Sequence, residues 1–358
     1  MILYVCEKNA SNVLIPVRLI DNAVSIIWIR RFNEAGEFEI YMNADAEILS
    51  LFTSEKYIFR DGDDTVMVSE KVSLTTSSEE GNYITISGHS AEILLGRRVV
   101  NRQMSWRSGT VEYIMRSIVT SQFIQTDNSR KITWITLGDE RNLPEVISTK
   151  QITGTNCLTA ISEIAKTYNY GFRLKWDREN EILEFNVYKG TDRTVSQNNQ
   201  AAVIFSPDFE NLANSSYTKS SEKTYNVAYV AGQGEGGNRT IVYTPSTDTA
   251  EGINRRELWV DARNVSSAGT PMSQDEYQDA LRSYGDDKLA EARESANFSG
   301  QIITDNTFVF GEDYYLGDKV LVENGYGISG SAYVTEVTEV EDQEGYRMYP
   351  TLSNYQTT

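Results

Sequence analysis

The sequence predicts an α+β protein that is mostly β, with a strand-rich domain at each end and a mixed domain between them. Three observations carry the prediction. Apolar residues alternate with period two through the first hundred residues, shift to helical spacing near residue 101, and return to alternation after about residue 200. Tyrosine is abundant at 21 and proline scarce at 6, a balance suited to pleated, half-buried surfaces. At 358 residues, 40% of them hydrophobic, the chain can fill two or three ordinary cores. The expected boundaries are 1–100 for a first β domain, 101–200 for an α+β domain and 201–358 for a second β domain.

The opening residues Met1-Ile2-Leu3-Tyr4-Val5-Cys6-Glu7 lack a basic stretch and a small-residue cleavage site, so they read as a first strand rather than a signal peptide. In the run from Val24 to Phe32, the residues Val24, Ile26, Trp28 and Phe32 share one face. After the turn Asn33-Glu34-Ala35-Gly36, a return strand over Glu37 to Met42 puts Phe38, Ile40 and Met42 on one face. Glu37, Glu39 and Tyr41 lie on the other, which makes a hairpin with one wet face. Further strands are expected at Lys56–Arg60, Thr65–Thr75 and Tyr83–Gly88, separated by Asp/Gly and Glu/Gly turns. Short strands closing on one another predict a small barrel or sandwich.

Helical spacing then places Val111, Ile114, Met115 and Ile118 on one stripe, with Ser108 as the expected N-cap. A second helix carries Leu158, Ile161, Ile164 and Tyr168, with Thr155 as its cap and Gly171 as its stop. The hairpin Tyr170–Trp176 and Ile182–Tyr188 turns at Asp177-Arg178-Glu179-Asn180, and Gln197-Asn198-Asn199-Gln200 reads as a surface loop. Strands return at Tyr225–Ala231, Arg239–Tyr243, Glu257–Asp261, Phe298–Phe310, Lys319–Glu323, Ala332–Glu339 and Tyr346–Leu352. One helix, expected at about 273–294, interrupts them. Ser273-Gln274-Asp275-Glu276 is a capping box, and Tyr277, Leu281, Tyr284 and Ala292 stripe one face.

Composition excludes several classes. A formal net charge of −18 opposes a protein that grips nucleic acid by neutralising phosphates. No apolar run approaches the ~20 residues of a spanning helix, so membrane insertion is not expected. Cys6 and Cys157, far apart, give neither a disulfide framework nor a zinc site, which fits synthesis in a reducing cytoplasm or a fold that needs no staples.

The residues that could carry chemistry are few. His89 is the only histidine; any Ser-His-Asp triad would need it, no nucleophile elbow accompanies it, and it reads as a structural residue on a strand. Asp61-Gly62-Asp63-Asp64 lacks the spacing of a calcium loop and reads as a turn. Gly232-Gln233-Gly234-Glu235-Gly236-Gly237 matches GxGxxG after a strand, but the pyrophosphate site needs a helix next. Here Arg239-Thr240-Ile241-Val242-Tyr243 continues as a strand, and Glu235 would repel phosphate, so the stretch reads as a hairpin tip. No catalytic, cofactor-binding or metal-ligating residue is assigned, and the chain is expected not to be an enzyme.

Three stretches then resemble a known family. Trp28 to Tyr41 is similar to an opening hairpin in which an aromatic strand ends in a Gly turn and re-enters as "GxFE". Phe205 to Tyr243, with Asn211-Leu212, Tyr225-Asn226-Val227-Ala228-Tyr229-Val230-Ala231-Gly232 and Arg239, resembles the strand, Gly-rich loop and Arg-led strand opening a second barrel. Tyr315-Leu316-Gly317-Asp318-Lys319-Val320 resembles a late "LGDxV" turn and strand. In this order the three stretches resemble siphovirus tail proteins related to the trimeric baseplate hub of contractile phages.

The resemblance implies two tube-like antiparallel β-barrel domains flanking the α+β domain, and a homotrimer presenting six barrels in a pseudo-sixfold ring. The ring would join the tail tube or distal tail protein above to a tip or spike protein below, in a virion built in the host cytoplasm. DNA or tape-measure protein would pass without specific binding, and an acidic lumen would let it slide. Tyr349-Pro350-Thr351-Leu352 reads as the close of the last strand, so any lysin or spike is expected on a separate chain. The competing readings are a carbohydrate-active tail module, receptor-binding or wall-hydrolysing, and an adhesin-like surface β-protein, the latter disfavoured by the missing signal peptide. The first would display Trp106, Trp134, Trp176 or Trp259 on an exposed platform, whereas tryptophans in such patterns ordinarily fill cores.

Overall fold

Seven strands come from the first hundred residues: β1 (Leu3–Lys8), β2 (Leu14–Ile20), β3 (Ser25–Arg31), β4 (Glu37–Asn43), β5 (Tyr57–Arg60), β6 (Val66–Ser77) and β7 (Gly81–Ser90). The computed structural model describes residues 1–9, 13–79, 81–147, 149–245, 250–265, 272–292, 295–303 and 307–357. β3 and β4 form the expected hairpin, pairing Ile26 with Ile40 and Trp28 with Phe38. Trp28, Phe38, Ile40 and Met42 are buried on its dry face. Glycine is required at position 36, because a Cβ there would stand 2.2 Å from the Ile29 carbonyl oxygen. Helix α1 (Ala46–Leu51), which alternation alone did not reveal, starts at Asp45, whose carboxylate accepts from the amides of Glu47 and Ile48.

The middle segment contains β8 (Met104–Trp106), β9 (Gly109–Thr110), helix α2 (Val111–Val119), β10 (Ile135–Leu137), β11 (Val146–Ile147), β12 (Lys150–Ile152), helix α3 (Cys157–Tyr168), β13 (Gly171–Asp177) and β14 (Ile182–Tyr188). Both predicted stripes hold: Val111, Ile114, Met115, Ile118, Ile161 and Ile164 are fully buried. The caps differ. Residues 109–110 pair with 146–147 as a strand, so α2 starts later than Ser108 allows, and Thr110 Oγ1 accepts from the Tyr113 amide at 3.1 Å. In α3 the cap is Asn156, not Thr155, because the longer side chain reaches the amides of Leu158 and Thr159 at 3.0 and 3.3 Å. The helix ends at Asn169, which is left-handed with φ 55°, and Gly171 already belongs to β13.

The remainder supplies β15 (Ile204–Phe205), β16 (Leu212–Ser220), β17 (Val227–Ala231), β18 (Ile241–Thr244), β19 (Glu257–Asp261), helix α4 (Gln274–Glu291), β20 (Ser295–Ile302), β21 (Lys319–Glu323), β22 (Ser329–Asp342) and β23 (Gly345–Thr357). The capping box forms as expected: the Glu276 amide donates to Ser273 Oγ and the Ser273 amide to the Glu276 carboxylate. The expected helix end at 293–294 lies outside the described residues. The strand expected over 298–310 is shorter; 304–306 lie outside the described residues, and Phe308 and Phe310 instead pack their rings around Phe205 and Tyr314.

The ends of the chain share one sheet of thirteen strands. Its path runs β16-β20-β23-β22-β3-β4-β7-β6-β5-β1-β2, with β21 and β15 branching from β22. Every neighbour along the path is antiparallel. The join is β22 against β3, from Glu336 opposite Arg31 to Glu341 opposite Ile26. Among the described residues none of the sheets closes into a barrel.

Phe32 locks the three segments together. It is fully buried, with Tyr188 edge-on at 5.4 Å. A Cβ on Gly171 would stand 2.4 Å from its ring, and one on Gly317 only 2.3 Å. The phenyl ring therefore fills a socket whose walls are bare backbone from the middle and last segments.

Candidate functional site

One face of the long sheet stays wet across both ends of the chain. Register puts Ile29 opposite Glu37 and Ile27 opposite Glu39. It continues the rows through Glu37–His89 and Glu39–Ser87 into β7, and through Ser87–Lys71 into β6. On the other flank Glu336 faces Arg31 and Thr338 faces Ile29. Alternation forces the intervening Trp28, Phe38, Ile40, Ile84 and Ile86 into the core on the opposite face. Charged side chains in these rows are Glu37, Glu39, Glu70 and Glu336 against Arg31 and Lys71, four minus two, and farther along β22 and β23 Asp342 and Arg347 pair with each other, so the net is −2 with His89 neutral.

Arg31 ties the surface together across three strands. Its Nε donates to Glu336 at 2.6 Å, and its Nη1 to Glu37 at 2.6 Å and to the Ala35 carbonyl at 3.1 Å. The hydrogen bond from Arg31 holds the Glu37 carboxyl below its ordinary value. His89 pairs through Nδ1 with Glu70, a bulge residue of β6. That contact ties β6 to β7. At one end of the surface opens a cleft of about 1270 Å³, where Arg31, Glu37 and His89 meet Glu163 and Lys166 of α3 and Tyr355 of β23.

Beneath the wet face a buried charge cluster welds the two ends of the chain. Glu339 is 2% exposed and accepts from Arg60 at 2.6 Å, from the Tyr346 hydroxyl at 2.7 Å and from Arg30. Asp63 accepts from Arg60 at 2.7 Å and from the Thr65 amide at 2.9 Å. Burial alone would raise both carboxyls, but the two arginines outweigh it, and both lie below their ordinary values. The cluster had a sequence signal that periodicity reading passed over. Arg30 lies in phase with Ile26, Trp28 and Phe32, and Glu339 in phase with Val337, so each puts a charge on a dry face.

The late Leu316-Gly317-Asp318 turn has an equally definite role. Asp318 is 2% exposed and accepts from the Thr191 amide at 2.7 Å, Arg193 Nε at 2.6 Å and the Tyr315 amide at 3.0 Å. Gly317 is left-handed at φ 90°, and its backbone lies so close to Gly190 that a Cβ on Gly190 would fall 1.9 Å from it. The turn thus grips the segment leaving the middle of the chain.

The remaining candidates sort cleanly. The glycine-rich stretch is a hairpin tip between the antiparallel β17 and β18, with Arg239 donating to the Gly232 and Ala231 carbonyls, so no helix follows to hold a phosphate. Residues Asp61 to Asp64 form a turn, with Gly62 at φ 74° and Asp64 paired with Arg173 at 3.1 Å. Burial pushes the Cys6 thiol up to about 11 and Cys157 up to about 12. Trp106, Trp134 and Trp176 are buried, whereas Trp259 is 58% exposed. Among the described residues no group of three His, Cys, Asp or Glu side chains could hold a metal ion, and no helix is long and apolar enough to cross a membrane.

The profile of the family described as Siphovirus ReqiPepy6 Gp37-like protein matches residues 14–352. No curated protein matches the chain. Among solved structures, a tail protein from Neisseria meningitidis MC58 superposes with a TM-score of 0.55 at 13% identity, over 98% of this chain and 96% of its own. The 43 kDa tail protein of prophage MuSo2 from Shewanella oneidensis gives 0.56 at 12% identity, over 98% of each chain. Prophage tail protein gp18 from Listeria monocytogenes EGD-e gives 0.50 at 15% identity, over 100% of this chain and 95% of its own. These likenesses establish a shared fold over nearly the whole chain.

Proposed function

The chain belongs to the family of Siphovirus ReqiPepy6 Gp37-like proteins, and from that premise we propose that it is a structural hub subunit at the distal end of a phage tail. Three copies form a ring that joins the tail tube or distal tail protein above to a tip or spike protein below, and DNA or tape-measure protein passes through it. The role is architectural rather than enzymatic, within the virion, after synthesis in the host cytoplasm.

The observation that carries this reading is the long sheet itself. A wall that two ends of one chain build jointly, dry on one side and wet on the other, is suited to lining a passage. In this reading the domains are about 1–100, 101–200 and 201–358, each subunit contributes two β units, and three subunits repeat that pair around the ring as tube-like units. A net −2 on the wet face offers no counterion release to a passing phosphate backbone, so DNA slides. Screening over ~8 Å confines this effect to residues that line the bore.

The test is the mass of the purified chain by light scattering coupled to size exclusion. The expected result is a species of three times 40.4 kDa with a central bore in negative stain. A chain that stays monomeric at all concentrations, and that immunolabelling fails to find at the distal tail, would overturn the proposal.

A further inference from the structure

The strands β17, β18 and β19 and helix α4 form a unit that the chain enters and leaves at one place. β16 ends at Ser220 and β20 begins at Ser295, and these two residues face each other in the sheet. The unit between them has its own core. Val230, Val242 and Val260 pack with Tyr277 and Leu281. Among the described residues, none from 225–292 joins the apolar clusters of the other segments. The entering chain, Ser221-Glu222-Lys223, is exposed.

Polar groups make the joint between this unit and the middle segment. Lys150 of β12 and Asp287 of α4 pair out of water, at 9% and 7% exposure. Beside them Ser283 donates to the Thr149 carbonyl at 2.8 Å, and Lys288 to Glu163 of α3 at 3.1 Å. Arg107 lies 3.4 Å from Glu276 at the start of α4. The two surfaces fit loosely, since a crevice of about 10 Å³ opens among Thr149, Lys150, Ala280 and Tyr284. Polar groups exchange their partners for water when such surfaces part, whereas a shared apolar core would resist parting. A polar joint between separately cored units is the arrangement that permits relative motion.

We propose that residues 225–292 are a hinged module, which swings on the ends of β16 and β20 and is held closed by the Lys150–Asp287 pair. The exposed segment after Ser220 takes up the rotation. In the closed state the two charges satisfy each other away from water; in the open state both are hydrated, and the facing surfaces of α4 and β12 are uncovered. The device belongs to one chain and does not depend on the ring.

The experiment places nitroxide labels on the full-length chain at Tyr113→Cys of α2 and Trp259→Cys of β19, both exposed positions, and reads their separation by pulsed electron paramagnetic resonance. Cys6 and Cys157 are buried and take no label. With Trp259 replaced, the remaining Trp28, Trp106, Trp134 and Trp176 report only on segments outside the module. In sub-denaturing urea a second, longer separation is expected while tryptophan emission stays native. Asp287→Ala leaves Lys150 without a partner in the closed state only, and should raise the long-separation fraction at least ~10-fold. Lys150→Met with Asp287→Leu replaces the pair by apolar side chains and should keep the single short separation. Loss of the short separation only together with native tryptophan emission overturns the proposal. So does an Asp287→Ala chain with native emission and an unchanged separation. The urea series on the labelled chain with Lys150 and Asp287 intact decides alone if Asp287→Ala does not fold.

Discussion

Replacing Phe32 with alanine removes a ring that all three segments of the chain share. A buried phenylalanine withdraws about 150–250 Å² from water. At ~25 cal/mol per Å² that alone is roughly 4–6 kcal/mol, an upper estimate, and measured Phe→Ala changes cluster at about 3–5 kcal/mol. Gly317→Ala attacks the same socket from the other side. The three nearest atoms to its added Cβ all belong to the Phe32 ring, at 2.3, 2.6 and 2.9 Å. Overpacking adds about 1–3 kcal/mol, and the φ of 90° about 1–2 kcal/mol more. In a Phe32→Ala background the steric part vanishes and only the backbone part remains. The double variant should therefore fall short of the sum of the singles by about 1–3 kcal/mol. Urea unfolding followed by tryptophan fluorescence and circular dichroism measures all four corners of the cycle. Additivity within ~0.5 kcal/mol would refute the socket.

Other substitutions test the remaining joints. Glu339→Ala leaves Arg30 and Arg60 without their shared carboxylate and should cost about 3–5 kcal/mol in a urea titration. Because the folded-state values of Glu339 and Asp63 are depressed, their stabilisation is full above the ordinary carboxyl values of 4.5 and 3.8 and is lost as pH falls through the folded values. Glu339→Gln should flatten that acid limb, and an unchanged acid profile would count against the weld. Asp318→Ala removes the acceptor for two amides and Arg193, with roughly 3 kcal/mol of destabilisation and faster proteolysis in residues 189–203. Both thiols should resist Ellman's reagent in the native chain and react only on denaturation, since burial keeps them protonated well above neutral pH. Glu39→Lys with Glu70→Lys turns the wet face from −2 to +2 and should create salt-sensitive DNA retention on filters where the parent chain shows none.

Much of this protein could be read from its sequence because period and punctuation are local. Ile26, Trp28, Phe38 and Ile40 betray a half-buried hairpin to anyone counting by two, and Val111, Ile114, Met115 and Ile118 betray a helix to anyone counting by 3.6. The capping box at Ser273 sits within four residues, so its geometry is written in the chain. Cap choice was less legible: Ser108 and Thr155 were as good as Thr110 and Asn156 until the pairing of residues 109–110 with 146–147 and the reach of the longer Asn side chain decided between them. Gly171 looked like a helix stop, but Asn169 ends the helix, and Gly171 is small because Phe32, far away in sequence, needs the space.

What the sequence determined by itself is therefore everything set by neighbours along the chain: the alternation, the helical stripes, the turns, the misfit of the Gly232–Gly237 stretch with a phosphate loop, and the resemblance carried by three ordered motifs. What only the tertiary structure decided is which distant segments meet. That β22 pairs with β3, that Arg30 and Arg60 converge on Glu339, and that Trp259 stays in water while the other tryptophans are buried depend on contacts separated by up to hundreds of residues. No local signal selects such partners, because strand edges offer the same backbone hydrogen bonds to any strand. The choice among them is made by which side chains fill the shared core and which charges must neutralise one another there.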